Sequence, residues 1–254
     1  MNPRSRRQRP VTVKPPDPTR ILVIDVGGSH IKFRMGPRGP IRKFVSGADM
    51  TAADMAREVR KLSRKLPYQA VSIGYPGLVL RGRIAAEPFN LGHGWVGYDF
   101  EKALGRPVRV INDATMQALG SYEGGRMLFL GLGTGLGATL ILDGTVEPME
   151  IGHMPFKRDQ TFEDYVGERG RERLGNKKWR KAAAEVITRL KEVLEADYVV
   201  LGGGNAVRLK ELPAATRLGD NLNAFKGGLC MWRGDHPLTT GGTHRKRAAA
   251  RSGR

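Results

Sequence analysis

The chain carries one punctuated pattern twice, and that repetition limits its fold more than any other feature. Residues 21–33 read ILVIDVGGSHIKF and residues 127–142 read MLFLGLGTGLGATLIL. Each is an apolar strand, a glycine-rich turn and a second strand. Aligned on their glycines, Asp25 stands opposite Gly131 and Gly27 opposite Gly133. Glycine lets backbone N–H groups approach a ligand with no Cβ in the way, and such turns make concave anion sites. Two of them about a hundred residues apart predict two lobes gripping a phosphate chain from both sides. Phosphoryl transfer is the activity this suggests.

The segments between the turns alternate. A third strand near 41–46 completes the first meander, and a helix is expected over Thr51–Leu66, with Met55, Val59, Leu62 and Leu66 on one face. Ala70–Tyr75 reads as a buried strand, Tyr98–Leu104 as a short helix and Val108–Ile111 as a strand. Asn112-Asp113 then opens a helix over Ala114–Tyr122. The second meander fills 126–147, and a helical region over about 161–195 splits near Gly175-Asn176. Strand Tyr198–Leu201 runs into Gly202-Gly203-Gly204-Asn205, and a last helix covers 221–232. A meander, helix, strand, helix and strand, restarting later with a similar meander, is the pattern of a duplicated α/β unit. Gly133-Thr134-Gly135-Leu136-Gly137-Ala138 also fits G-x-G-x-x-A. That dinucleotide motif should open a helix, whereas Thr139–Leu142 followed by Asp143-Gly144 reads as a strand and hairpin turn. No P-loop of the G-x-x-x-x-G-K-[ST] type occurs.

Composition narrows the setting. An apolar share of 40% and 34 glycines in 254 residues fit a globular, turn-rich protein. The start, MNPRSRRQRP, shows no secretory apolar region, and the longest charge-free run, Met127–Leu142, is too short and glycine-rich for a membrane span. A single cysteine, Cys230, excludes an internal disulfide framework and a cysteine-based zinc site, which makes a reducing cytoplasm the default. The net charge of +18 is uneven. Residues 1–20 hold Arg4, Arg6, Arg7, Arg9, Lys14 and Arg20 against Asp17; residues 233–254 hold Arg233, Arg245, Lys246, Arg247, Arg251 and Arg254 against Asp235. Each end is therefore +5, leaving +8 for the rest. The ends, rich in Arg, Pro, Gly and Ala, read as disordered solubilising tails rather than a specific nucleic-acid arm. The +8 core points to a polyanionic partner.

Asp113, at the carboxyl end of strand 108–111, projects where ligands bind in α/β sheets, which makes it a candidate base. The plain alternative is that Asn112 or Asp113 caps the following helix. Glu150 and His153, three residues apart, can hold sugar hydroxyls, or be a surface acid and a hydrogen-bonded loop imidazole. Glu163 can serve the same purpose or favour a helix dipole. Asn90 is equally a turn residue.

Taken together, these segments resemble the ROK family of sugar kinases. Asp25-Val-Gly-Gly-Ser-His-Ile-Lys32 is similar to that family's first phosphate motif, and Gly74-Tyr-Pro-Gly77 with Asn90-Leu91 and Trp95 to its sugar-side loop. Asn112-Asp113-Ala114 matches its catalytic pair and Gly131–Gly137 its second phosphate loop. Glu150-x-Gly-His153 and Phe162-Glu163-Asp-Tyr165 match its remaining sugar positions. The likeness covers 21–232 in order. Tyr165-Val-Gly-Glu-Arg169, Leu174-Gly-Asn-Lys-Lys-Trp179, Leu201-Gly-Gly-Gly-Asn205-Ala and Gly227-Gly228 near Trp232 are most similar to its polyphosphate glucokinase subfamily.

The resemblance implies a duplicated ribonuclease H-like fold of the actin/hexokinase ATPase type, with two lobes around a cleft. The small lobe would span 21–112, with room for the helix at 221–232 to pack back on it, and the large lobe 113–220. Glucose would be phosphorylated on its 6-hydroxyl from inorganic polyphosphate, ATP or both, with Asp113 as general base. Asn90, Asn112, Glu150, His153 and Glu163 would hold the sugar. Gly27, Gly28, Ser29, Lys32, Gly133, Thr134, Gly135 and Gly137 would line the phosphates, and Gly203, Gly204 and Asn205 would approach a nucleotide. Asp25 would orient Mg²⁺ through water. Lys177, Lys178, Arg180 and Lys181 around Trp179 read either as a polyphosphate track or as a solvated helix face with Trp179 turned inward. The family's zinc site needs three cysteines just beyond the motif histidine, and residues 154–170 have none, so no zinc is expected. Twenty residues before Ile21 are too few for a repressor's DNA-binding domain. A homodimer is implied by kinship, with no membrane or specific nucleic-acid partner. The alternatives are an ATP-dependent ROK kinase for mannose or an N-acetyl amino sugar, and a non-catalytic ROK-like sugar-binding protein.

Overall fold

The computed structural model describes residues 15–220 and 222–233. Most of the two expected tails, and Asn221 at the expected start of the last helix, lie outside the described residues. Within the stretch expected to be a disordered tail, Pro18–Arg20 instead form a 3-10 turn capped by the Asp17 side chain.

Strands β1 (Ile21–Val26), β2 (His30–Met35) and β3 (Arg42–Val45) form an antiparallel meander. Helix α1 (Ala52–Ser63) starts at Thr51, which accepts from the Asp54 N–H while the Asp54 carboxylate accepts from the Thr51 N–H. This reciprocal cap satisfies two amides that the helix start leaves unpaired. Strand β4 (Ala70–Tyr75), the small hairpin β5 (Val79–Leu80) and β6 (Arg83–Ile84), helix α2 (Phe100–Leu104), strand β7 (Val108–Asn112) and helix α3 (Asp113–Ser121) follow. The pattern then restarts with the meander β8 (Arg126–Leu132), β9 (Leu136–Leu142) and β10 (Thr145–Met149). A second hairpin, β11 (Pro155–Lys157) and β12 (Gln160–Thr161), leads to helices α4 (Phe162–Val166) and α5 (Glu168–Val193). Strands β13 (Tyr198–Gly202) and β14 (Thr216–Leu218) and helix α6 (Asn223–Cys230) complete the described chain. Within α5, Gly175 breaks the helix at φ 70° and ψ 157°. A left-handed backbone costs glycine little, which is why the split falls there.

The duplication is exact in topology. One sheet runs β3-β2-β1-β4-β7 and the other β10-β9-β8-β13-β14, each a meander extended by two strands parallel to its first. Successive strand residues point to opposite faces. Accordingly Leu22 and Ile24 join one core with Met55, Phe100 and Trp95, while Ile21 and Val23 join a second with Met116 and Phe225. β8 repeats the division: Leu128 and Leu130 pack with Trp179 and Ile187, whereas Met127 and Phe129 share the core of Ile21 and Val23. Helices α3 and α6 thus lie between the two sheets, with α1 and α2 outside one and α4 and α5 outside the other. This is the two-lobed α/β architecture of the actin/hexokinase type. No helix among the described residues is long and apolar enough to cross a membrane.

Candidate active site

The carboxyl ends of β1, β4 and β7 meet at one edge. Asp25 pairs in register with Gly74, Gly74 with Ile111, and Tyr75 with Asn112. Asp25 continues the series Ile21, Val23 on the face turned toward α3 and α6, and its cross-strand partner is Lys32. The cap question at 112–113 resolves by a division of labour. The Asn112 side chain caps α3, accepting from the Thr115 N–H at 3.1 Å, and its amide donates to the Gly77 carbonyl at 3.1 Å. Asp113 accepts only locally, from the Ala114 N–H at 2.8 Å and from its own N–H. Burial, then the neighbouring Asp25 charge and more weakly Glu150, push the Asp113 carboxyl up to about 7. Burial also raises Asp25, with the Lys32 ammonium opposing it. Asp25, Lys32, Asp113 and Glu150 therefore belong to one electrostatic neighbourhood.

The first glycine turn is held from behind. Ser46, just after β3, donates its hydroxyl to the Gly27 carbonyl at 2.7 Å and its N–H to the Ser29 carbonyl at 3.1 Å. Gly28 and Ser29 remain exposed. A side chain at Gly28 would meet the Asn90 Cβ at 3.4 Å, so the expected sugar loop lies directly against the first glycine turn. That loop hangs on two groups: Glu87 accepts from the Trp95 and Val96 N–H groups at 3.0 and 3.1 Å, and the fully buried Trp95 donates to the Met50 carbonyl. Ser46 and Glu87 were not visible as site residues in sequence. Glu87 lies three residues before Asn90, whereas nothing in the sequence marks Ser46.

The second turn is braced differently. A Cβ on Gly137 would come within 2.9 Å of the Ala114 methyl, so its absence lets the first turn of α3 seat against β9. Glu163 accepts from the Leu136 N–H at 3.1 Å, and its own N–H donates to the Gly152 carbonyl at 2.9 Å. This ties the 150–153 loop, with exposed Glu150 and His153, to the turn. Behind it, the buried Asn205 donates its amide to the Gly133 carbonyl at 3.2 Å and to the Glu168 carboxylate at 2.6 Å. The Arg171 guanidinium, and then the Asn205 amide, hold Glu168 down to about 2. Gly203, at φ +82°, passes close to the Leu132 backbone, and Gly204 is exposed beside it. Asn205 thus braces the loop, while Thr134 and Gly204 are the parts open to solvent.

Trp179 is fully buried and donates to the Val166 carbonyl at 2.9 Å, so it turns inward. Lys177, Lys178 and Lys181 stay exposed beyond the Gly175 break, and Arg180 donates to the Arg208 carbonyl at 2.7 Å, next to the 203–205 turn. Of these cations Arg180 alone makes a recorded contact beside the second glycine turn, and the inward Trp179 leaves no accessible aromatic among them.

A two-lobed α/β fold with paired glycine turns facing a half-buried carboxylate defines a class of phosphate-handling proteins, and the comparisons name its family. The model of the ROK family matches residues 22–171. The chain belongs to the ROK family. It is 24% identical over 211 residues to the polyphosphate glucokinase of Mycobacterium tuberculosis strain H37Rv, covering 71% of this chain and 76% of that one. It is 31% identical over 157 residues to the kanosamine kinase of Amycolatopsis mediterranei, covering 52% and 51%. Among solved structures, the inorganic polyphosphate/ATP-glucomannokinase of Arthrobacter sp. strain KM superposes with a TM-score of 0.70 at 24% identity, covering 83% of this chain and 96% of that one. The ROK glucokinase of Streptomyces griseus, in complex with glucose and AMPPNP, gives 0.67 at 16%, covering 84% and 98%. At these identities the structures share the fold.

Proposed function

We propose that this chain is a hexose kinase that moves a phosphoryl group from inorganic polyphosphate, ATP or both onto the 6-hydroxyl of glucose. The observation carrying the reading is Asp113: a carboxylate freed from capping by Asn112, raised to about 7, and set between two glycine cradles. A base with a pKa near working pH serves general catalysis best. Asp113 would take the hydroxyl proton as that oxygen attacks the terminal phosphorus and the bond to the leaving phosphate breaks. Asn90, Glu150, His153 and Glu163 would orient the sugar, with Asn112 adding its remaining amide hydrogen. Gly27, Gly28, Ser29 and Lys32 would serve one side of the phosphates, and Gly133, Thr134, Gly135, Gly137, Gly203 and Gly204 the other, with Asn205 bracing them.

Among the described residues no three His, Cys, Asp or Glu side chains are grouped to hold a metal ion. Mg²⁺ does not need such a cage, because it keeps waters and takes substrate phosphates as ligands. Asp25, a hard carboxylate at the first cradle with Asp113 beside it, fits as its protein anchor. Bound there, the ion would offset phosphate charge.

The match to a kanosamine kinase favours a second reading, an amino-sugar kinase with the same machinery. Turnover of a hexose panel with one donor separates the two. Asp113→Asn should retain glucose binding by calorimetry while turnover falls about 10²–10⁴-fold; near-normal turnover would remove Asp113 from the role.

A further inference from the structure

The row of residues through Asp25 runs on past the first glycine turn. Asp25 pairs with Lys32 across β1 and β2, and Lys32 pairs with Lys43 across β2 and β3. Residues paired directly across strands share a face of the sheet, and their neighbours show which face this is. Arg34, two residues from Lys32, lies 5.1 Å over the Phe225 ring of α6, while Arg42 donates to the Leu62 carbonyl of α1 on the opposite side. Lys32 and Lys43 therefore stand with Asp25 on the face turned toward α6 and the second sheet. Cover on that face ends at the buried Arg34: Lys32 is half-buried, Lys43 is exposed, and Val45 beyond it is 69% exposed.

Nothing in the fold accounts for a lysine at 43. Like charges set directly opposite each other on neighbouring strands destabilise a sheet. Among the described residues neither ammonium enters an ion pair. The pair also stands beside the turn. Three residues after Lys43, Ser46 donates its hydroxyl to the Gly27 carbonyl and its N–H to the Ser29 carbonyl. Strand β3 thus supports the turn from behind and carries a cation alongside it. Neighbouring strands lie about 4.8 Å apart, so the row from Asp25 to Lys43 spans roughly 10 Å. A lysine is a compact charge on a flexible four-carbon stem, which suits a phosphate group within that span. An anion shared by the two ammoniums turns their repulsion into attraction.

We propose that Lys43 is the outer cation of the first cradle and binds a phosphate group of the donor, next to the one held by Lys32. The inference rests on the reading that the first glycine turn receives the donor's phosphates, and it adds β3 to that site.

The test compares binding of inorganic tripolyphosphate, by calorimetry, to the full chain and to Lys43→Gln, Lys43→Arg, Lys32→Gln and Lys65→Gln. Lys65, exposed just past α1 on the other face of the sheet, controls for loss of one charge from a basic protein. Lys43→Gln should bind about tenfold more weakly than the parent, Lys65→Gln should bind like the parent, and Lys43→Arg should recover the affinity. In turnover, Lys43→Gln should raise KM for the donor and leave KM for the sugar in place. Without ligand, Lys43→Gln should melt at or above the parent's temperature, because a cross-strand repulsion is gone. A lower melting temperature with unchanged binding would make Lys43 structural and overturn the proposal. Equal affinity of Lys43→Gln and parent, with Lys32→Gln weakened, overturns Lys43 alone, as does an equal loss in Lys65→Gln. A parent that binds no tripolyphosphate, or Lys32→Gln binding it as the parent does, overturns the cradle reading and Lys43 with it.

Discussion

At the scale of the residue, the account turns on how two adjacent polar side chains divide two tasks. Asn112 takes the helix cap, so Asp113 keeps a carboxylate that burial and the Asp25 charge hold near 7. In the proposed role the ionised form is the base, so kcat/KM for the sugar should climb as pH rises through about 7. Glu150→Gln removes a charge that opposes ionisation of Asp113 and should move this limb to lower pH. An acid limb in the ordinary carboxylate range would contradict the burial argument. The sign for stability is opposite. The folded state holds a proton that the unfolded chain has released, so stability should fall as pH rises from about 4 to 7. Asp113→Asn should flatten that slope in denaturant titrations. In sequence Asn112 and Asp113 were equally good caps, because both residue types accept from helix amides. Only the position of α3 against β4 and β7 separates them. Likewise Glu163 could be read as a helix-dipole acid, whereas its bond to Leu136 depends on a fold that brings residues 27 apart together.

At the scale of the element, long apolar runs were legible and short edge pieces were not. Ala70–Tyr75 is buried along its whole length and declared itself as a strand. The two-residue strands of the β5–β6 hairpin and the three-residue β14 carry too little periodicity to show. Packing of α3 on α6 was equally hidden, because it depends on missing side chains. A Cβ on Gly227 would fall on the Met116 carbonyl oxygen, and one on Gly120 on that of Asn223. Backbone cannot yield as a side-chain end can. Gly227→Ala should therefore cost about 3 kcal/mol or more, lowering the melting temperature by roughly 6–12 °C. A melting temperature within a degree of the parent would show that the two helices do not meet there.

At the scale of the whole molecule, two sheets of identical strand order enclose α3 and α6. The first turn of α3 is where both halves arrive: Asp113 sits beside Asp25 of one, and Ala114 against Gly137 of the other. The two glycine turns are equal in topology and unequal in chemistry. β1 carries Asp25, the proposed ion anchor, one residue before its end, while β8 has Gly131 at the matching place and offers backbone alone. The duplicated meander made this architecture readable from sequence, whereas the bond from Trp232 back to Ser72 of β4 required coordinates.

The most direct measurement is formation of glucose 6-phosphate by the full chain and by Asp113→Asn, with ATP and with polyphosphate as separate donors. The account predicts product from the parent with at least one donor, and a fall of about 10²–10⁴-fold in the variant with that same donor. No product from the parent with either donor, or equal rates in the two proteins, would contradict it.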